Sequence, residues 1–346
     1  MAYLSTLDAI RAIAVSLVVV SHLLLQLTEG VEPVAYSYRT MGRVGVAIFF
    51  VHTTLVLMAS LERHGPAAIP FYVRRIFRIY PLSVAVVLFF ALLQLAAKTP
   101  IDTGKLLSNL FLVQNLTGHA SFPRPLWSLP YEVQMYLVLP ALYQITRTRR
   151  PVMWAGLLCV GSVLMVLTLP ATSLALKLML YVPCFLPGVL AFVLTRQVQA
   201  RTSSLMLFGL IVGVGILAIP MSVAAGVPEM PLLWGLCVAI GLTIPICRQL
   251  ENKRLARGSK LIAKYSYGIY ITHVLSLGTI DGLMPGPVIV QWAAMLILLP
   301  GLAYICYHGI EKHGIALGAR LAARCATKLK REELRGAAGG NQAGNL

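Results

Sequence analysis

Apolar runs of about 20 residues recur along the whole of this chain, and they constrain its fold more than any other feature. A helix needs about 20 predominantly apolar residues to cross about 30 Å of hydrocarbon. Ten segments meet that demand, at 8–27, 43–61, 80–97, 129–146, 152–170, 175–195, 204–223, 231–247, 265–283 and 288–308. Charged residues make up only 12% of the 346, against roughly 25% in an average soluble domain. A water-soluble protein of this length would have to cover its surface with polar groups, and this sequence holds too few. The reading is an all-α, polytopic integral membrane protein with about ten transmembrane helices.

The formal net charge of +17, from 29 Lys and Arg against 12 Asp and Glu, would in a soluble protein suggest nucleic acid. Its distribution argues against that partner. The cations gather in short segments between apolar runs, such as RTRR at 147–150 and RQLENKRLARGSK at 248–260, as cytoplasmic loops do under the positive-inside rule. With a cytoplasmic N-terminus, Arg74, Arg75, Arg78, Arg147, Arg149, Arg150, Arg196, Arg201, Lys253, Arg254, Arg257 and the basic tail all fall inside. The opposite loops, 28–42, 98–128, 171–174, 224–230 and 284–287, are poor in cations, so both termini are expected in the cytoplasm. The first apolar run carries Asp8 and Arg11 and no small-residue cleavage site, and is expected to remain as the first span. Six cysteines, mostly inside apolar runs and without metal-ligand spacing, read as packing residues. No metal site is expected. The longest outer loop, 98–128, with Asn109, Gln114, Asn115, His119, Pro100, Pro123 and Pro125, reads as an acceptor entrance, and the Gly-rich end from 336 as disordered.

Ionisable residues within a membrane normally face the bundle interior or a water-filled cavity, and they mark function. The first run, LDAIRAIAVSLVVVSHLLLQL, holds Asp8, Arg11 and His22. Arg11 and His22 are eleven residues apart, close to three helical turns and about 16 Å of rise. They share one face, with Arg11 near the cytoplasmic entrance, His22 deeper and Asp8 on almost the same stripe. Plainer readings exist: Arg11 as a snorkelling topology signal, His22 as an interhelical hydrogen-bonder.

In FYVRRIFRIYPL, Arg75 and Arg78 lie three apart and project together if helical. Clustered guanidiniums suit a polyphosphate, though they equally serve membrane topology. PLWSLPYEVQMYLVLPAL sets Glu132 beside Trp127, Ser128 and Tyr131, with Tyr136 one turn further on. A carboxylate there needs a partner or water, whereas Trp127 also suits an interfacial anchor. YSYGIYITHV puts Ser266, Tyr270 and His273 on one stripe, either joining helices or touching substrate.

Taken together and in this order, these segments resemble the acyltransferase 3 family of membrane-bound acyltransferases, seen in bacterial exopolysaccharide, lipopolysaccharide and peptidoglycan O-acetylation. The resemblance covers most of the chain: 1–318 as the transmembrane domain, with 319–346 left as a basic, then Gly-rich, disordered cytoplasmic tail. Arg11 and His22 meet the family's N-terminal signature of an Arg and a His with ten residues between them. Arg75 and Arg78 meet its RxxR motif, and WSLPYEVQMYLVLP and YSYGIYITH look like its later segments. GRVGVAIFFVHTTLVL departs from the family's phrase. Ala47 stands at a usual Asp position, and His52, Thr53 and Thr54 replace Leu-Ser-Gly, which weakens inference about acceptor and acyl chain. His52 itself reads as an interhelical polar contact or as a further site residue.

The resemblance implies an enzyme of the bacterial inner membrane that takes acyl-CoA, with acetyl-CoA expected, as co-substrate and holds no permanent cofactor. Its acceptor would be a hydroxyl of a glycan or lipid-linked sugar, or else of a secondary-metabolite sugar; a separate protein partner is left open. Arg75 and Arg78 would hold the donor's phosphates, and Arg11 would touch the donor or shape its entrance. His22 would take the acceptor's proton or attack the thioester itself, with Glu132 or Asp8 orienting the imidazole. Trp127, Ser128, Tyr136, Ser266, Tyr270 and His273 would support the site or contact substrate. From another class, a transporter or flippase of a lipid-linked sugar also suits ten spans with buried ionisable groups, although no internal repeat supports it.

Overall fold

The computed structural model describes residues 5–343 apart from 29, 30, 32, 33, 171, 284 and 285. Three long helices open the chain: α1 (Ser5–Gln26), α2 (Val34–His64) and α3 (Ala68–Ala96). Two short helices, α4 (Thr103–Leu110) and α5 (Gln114–Thr117), and a 3-10 turn at Arg124–Ser128 then lead into α6 (Leu129–Ile145). Next come α7 (Pro151–Thr168), α8 (Leu174–Met179) and α9 (Val182–Leu194). A π-helical stretch at Ile211–Ala218 joins α10 (Ser204–Leu210) to α11 (Ile219–Ala224). After α12 (Glu229–Thr243) and α13 (Lys253–Leu283), a second π-helical stretch, Tyr307–Glu311, carries α14 (Val288–Cys306) into α15 (Lys312–Ala343). Among the described residues no sheet forms, and Thr202 and Cys247 make an isolated bridge.

Among the described residues, eight helical units are long and apolar enough to cross a membrane. With α6 and α13 they make the ten expected from the sequence. α6 has 17 residues, one fewer than the shortest of the eight. α13 opens on KRLARGSK and carries the polar stripe of Ser266, Tyr270 and His273. The two spans that fall short on length or apolarity are therefore the two that bring the later motifs.

α2 lies at the centre, packed against α1, α9, α11, α12 and α6, while α1 is held between α2 and α13. In lipid, helices associate through close packing and hydrogen bonds, which favours small residues at crossings. A Cβ on Gly45 would come 2.6 Å from the Ala14 carbonyl oxygen, and one on Gly188 would come 2.4 Å from that of Val51. Backbones meet at both places. The start of α1 is pinned to the basic segment after α12: Ser5 Oγ donates to the Leu250 carbonyl at 3.2 Å, and the Leu250 amide donates to Thr6 Oγ1 at 3.0 Å. The beginning of α1 and the 248–260 cations thus lie on one side, and His22 points to the other.

One expectation is sharpened and one is corrected. The 98–128 stretch is a packed cap of short helices whose buried amides at Asn109 and Gln114 are spent on its own backbone, and its end, Arg124, Pro125 and Trp127, lines a cavity beside His22. Fully buried Asn109 donates to the carbonyls of Lys105 and Ala120 at 2.8 and 3.0 Å and accepts from the Phe122 amide at 2.8 Å. Gln114 donates to the Leu126 carbonyl at 3.1 Å, and His119 bonds to Ser108 and Thr117. The basic half of the tail, from 319 to 331, continues α15 as helix where disorder was expected. Its beginning is anchored: α15 packs along α3, a Cβ on Gly318 would fall 2.5 Å from Phe77 Cβ, and Ala322 one turn on is fully buried. The last three residues of the tail lie outside the described residues.

Candidate active site

At the inner end, α1, α3 and α6 bring charged side chains together in the interior. Arg11 Nε donates to Ser266 Oγ at 2.6 Å, and its guanidinium lies 5.5 Å from the centre of the Phe49 ring. Arg75 and Arg78, one turn apart on α3, face Glu132 and Tyr136, one turn apart on α6, around a hollow of about 60 Å³. The Tyr136 hydroxyl donates to Glu132 Oε1. Arg78 Nη1 lies 3.3 Å from Oε2 of Glu311, whose side chain is 0% exposed. Glu311 sits at the end of the second π-helical stretch, and Gly268 leaves the room it occupies: a Cβ there would be 3.3 Å from Glu311 Oε1. Buried charges are tolerated when they answer one another, as Arg78 and Glu311 do, while Arg11 is held by Ser266 and Glu132 by Tyr136.

At the outer end sit two imidazoles. His22 Nδ1 lies 2.9 Å from the Val18 carbonyl oxygen. A carbonyl only accepts, so Nδ1 carries the proton and Nε2 keeps its lone pair. His273 stands edge-on to it, ring centres 4.8 Å apart and planes at 69°. His273 Nδ1 makes the same kind of bond, 2.6 Å from the Tyr270 carbonyl, and its Nε2 is buried without a hydrogen-bond partner. The Tyr270 hydroxyl donates to the Pro125 carbonyl at 2.7 Å and accepts from Ser128 at 2.7 Å, which fixes the turn before α6 against α13. These groups, with Trp127, Arg39, Arg43 and Arg124, line a cavity of about 170 Å³.

A narrow hollow of about 30 Å³ joins the two ends. It shares Val18, Val46 and Tyr270 with the outer cavity and Phe49, Glu132 and Tyr267 with the inner one. Three adjoining hollows therefore lie between the paired arginines of α3 and His22, the middle one walled mostly by apolar side chains such as Ala14, Val15, Val46, Phe49 and Leu129. This throat holds about one water. A larger hollow of about 540 Å³ between α6, α7 and α9 is lined by Tyr131, Met135, Leu142, Met165 and other side chains without one ionisable acid, base or imidazole.

The structure brings together Arg11, Arg75, Arg78, Glu132, Tyr136 and Ser266 at one end, and His22, His273, Tyr270, Ser128 and Trp127 at the other. Two expected pairings are corrected. Glu132 does not orient His22, because it faces the arginines and Tyr136. Asp8 does not either: fourteen residues along one helix is about 21 Å of rise, and Asp8 lines none of the three hollows. His52 and Thr53 line the inner hollow, and His52 Nδ1 is buried without a hydrogen-bond partner, whereas Ala47 is simply buried. Sequence reasoning missed Arg39, Arg43, Arg124, Tyr267 and Glu311. A signal was available for the first three, which are arginines on the cation-poor side.

Helices enclosing a row of hollows, with arginines at one end and paired imidazoles at the other, define a polytopic membrane protein. The chain belongs to the acyltransferase 3 family, whose sequence profile, described as an acyltransferase domain, matches residues 4–308. Over 117 residues it is 32% identical to the acyltransferase MdmB of Streptomyces mycarofaciens, an alignment covering 31% of this chain and 30% of that protein. The match therefore spans less than a third of that relative's length. No solved structure matches the chain significantly.

Proposed function

We propose that this protein moves an acyl group, acetyl first among candidates, from acyl-CoA to a hydroxyl of a glycan or lipid-linked sugar at the bacterial cytoplasmic membrane. The observation that carries the reading is the path of three hollows between Arg75 and Arg78 and the His22 ring. The basic loops mark the inner end as cytoplasmic, where acyl-CoA is available, and the two guanidiniums offer planar forks to its phosphates. A pantetheine arm is wider than the throat, so donor binding has to widen it. In the outer cavity His22 Nε2 accepts the acceptor's proton as the hydroxyl oxygen adds to the thioester carbonyl carbon. The C–S bond then breaks, and the imidazolium returns the proton to the departing thiolate. His273 holds the His22 ring edge-on, and Glu132 balances the donor-side arginines.

The test is transfer of labelled acyl-CoA to a glycan by the purified protein in bilayer discs. Label in the glycan supports the enzyme, and movement of unmodified glycan across the bilayer supports the transporter that family membership disfavours. The Arg75→Gln/Arg78→Gln variant is expected to raise the donor KM by about ten- to a hundredfold, since charge-assisted bonds are lost, with little change for the acceptor. An unchanged donor KM would assign both arginines to topology.

A further inference from the structure

The side of the molecule that carries His22 is poor in cations, yet its arginines are not scattered. Arg39 and Arg43 on α2 and Arg124 in the turn before α6 are the arginines of that side, and all three line the outer cavity with His22. The lysines of the same side, Lys98, Lys105 and Lys177, do not line it; Lys105 lies over the Phe122 ring instead, 5.0 Å from its centre. A topology signal counts lysine and arginine alike and would not gather one type around one hollow. Arg43 is held in place by Glu229, and among the described residues no carboxylate lines the cavity. Guanidinium forks match the oxygens of carboxylates and phosphates, and a cleft walled by one sign of charge concentrates the opposite sign. At about 170 Å³ the cavity has room for a polar group of roughly six waters' volume.

We propose that the acceptor carries an oxyanion, carboxylate or phosphate, close to the hydroxyl that is acylated, and that Arg39, Arg43 and Arg124 recognise it. The proposal rests on the reading of the outer cavity as the acceptor site, so its test reads binding separately from transfer. The protein in bilayer discs, at low ionic strength and without donor, is titrated with methyl glucuronide, glucose 1-phosphate and methyl glucoside. Emission from Trp127, identified by its loss in Trp127→Phe, reports occupancy. At least one of the two anions is expected to bind about tenfold or more tightly than the neutral glycoside, the size of a charge-assisted hydrogen bond. The Arg39→Gln/Arg124→Gln variant, with unchanged circular dichroism, is expected to bind all three alike. Preference for the glucuronide alone identifies the carboxylate, and for the sugar phosphate alone the phosphate. Equal binding of the three by the parent protein, or full discrimination retained by the variant, overturns the proposal. Anion binding without acyl transfer to any acceptor would instead remove the enzymatic reading and leave the anion site standing.

Discussion

The inner end of the path gathers charges of both signs and ties them to side chains of other helices or the next turn, whereas the outer end holds its imidazoles against the backbone. Arg11, Arg75, Arg78 and Glu132 line a hollow of only about 60 Å³; Arg78 pairs with Glu311, Arg11 donates to Ser266 and Glu132 accepts from Tyr136. His22 and His273 each need one carbonyl, on their own helix, and the cavity beside them is roomier, at about 170 Å³. Removing a member of the inner cluster therefore disturbs the fold as well as the site. Removing an imidazole takes away chemistry and little else.

The largest expected effect breaks or upholds that contrast directly. His22→Ala should lower turnover by about 10²–10⁴, the usual weight of a general base, while the melting temperature in detergent stays near that of the parent. Undiminished turnover would remove His22 from the reaction, and a collapsed fold would show the outer end to be as interdependent as the inner. Next comes Glu132→Ala, which takes the acceptor from the buried Tyr136 hydroxyl. Losing the bond from Tyr136 to a buried carboxylate costs about 1.5–3 kcal/mol, to be read as lost resistance to denaturant, and Glu132→Gln should recover part of it through Tyr136. If Glu132→Ala were as stable as the parent, that bond would not be what holds the inner end. The smallest effect belongs to Tyr270→Phe, which keeps the ring and loses the bonds to Pro125 and Ser128. About 1 kcal/mol of stability and a fall in kcat of no more than about tenfold are expected; a larger loss in kcat would bring the Tyr270 hydroxyl into the chemistry.

Much of this was legible along single helices. The eleven-residue spacing of Arg11 and His22, the i, i+3 pair on α3 and the i, i+4 pair of Glu132 and Tyr136 depend only on helical geometry, and the structure places each pair as the spacing requires. Contacts between distant segments were not legible. His22 meets His273 across 251 residues because α1 and α13 pack together, and nothing in either motif encodes that partner. Glu132 was paired with the wrong group for the same reason: a carboxylate announces that it needs a cation, but not which one. The amides of 98–128 were ambiguous because Asn and Gln at a loop look alike whether they greet solvent or tie down their own chain. Arg39, Arg43 and Arg124 went unread because arginines near spans were weighed as orientation signals.

α15 gives the inner end a second consequence. Its glycines bring it so close to Phe77 that α3 cannot slide or turn without carrying α15 along, and just before α15 Glu311 grips Arg78. The strut itself, α15 with Glu311, lies past residue 308, where the family match stops. The placing of Arg78 at the rim of the inner hollow is thus set in part by a segment outside the matched one.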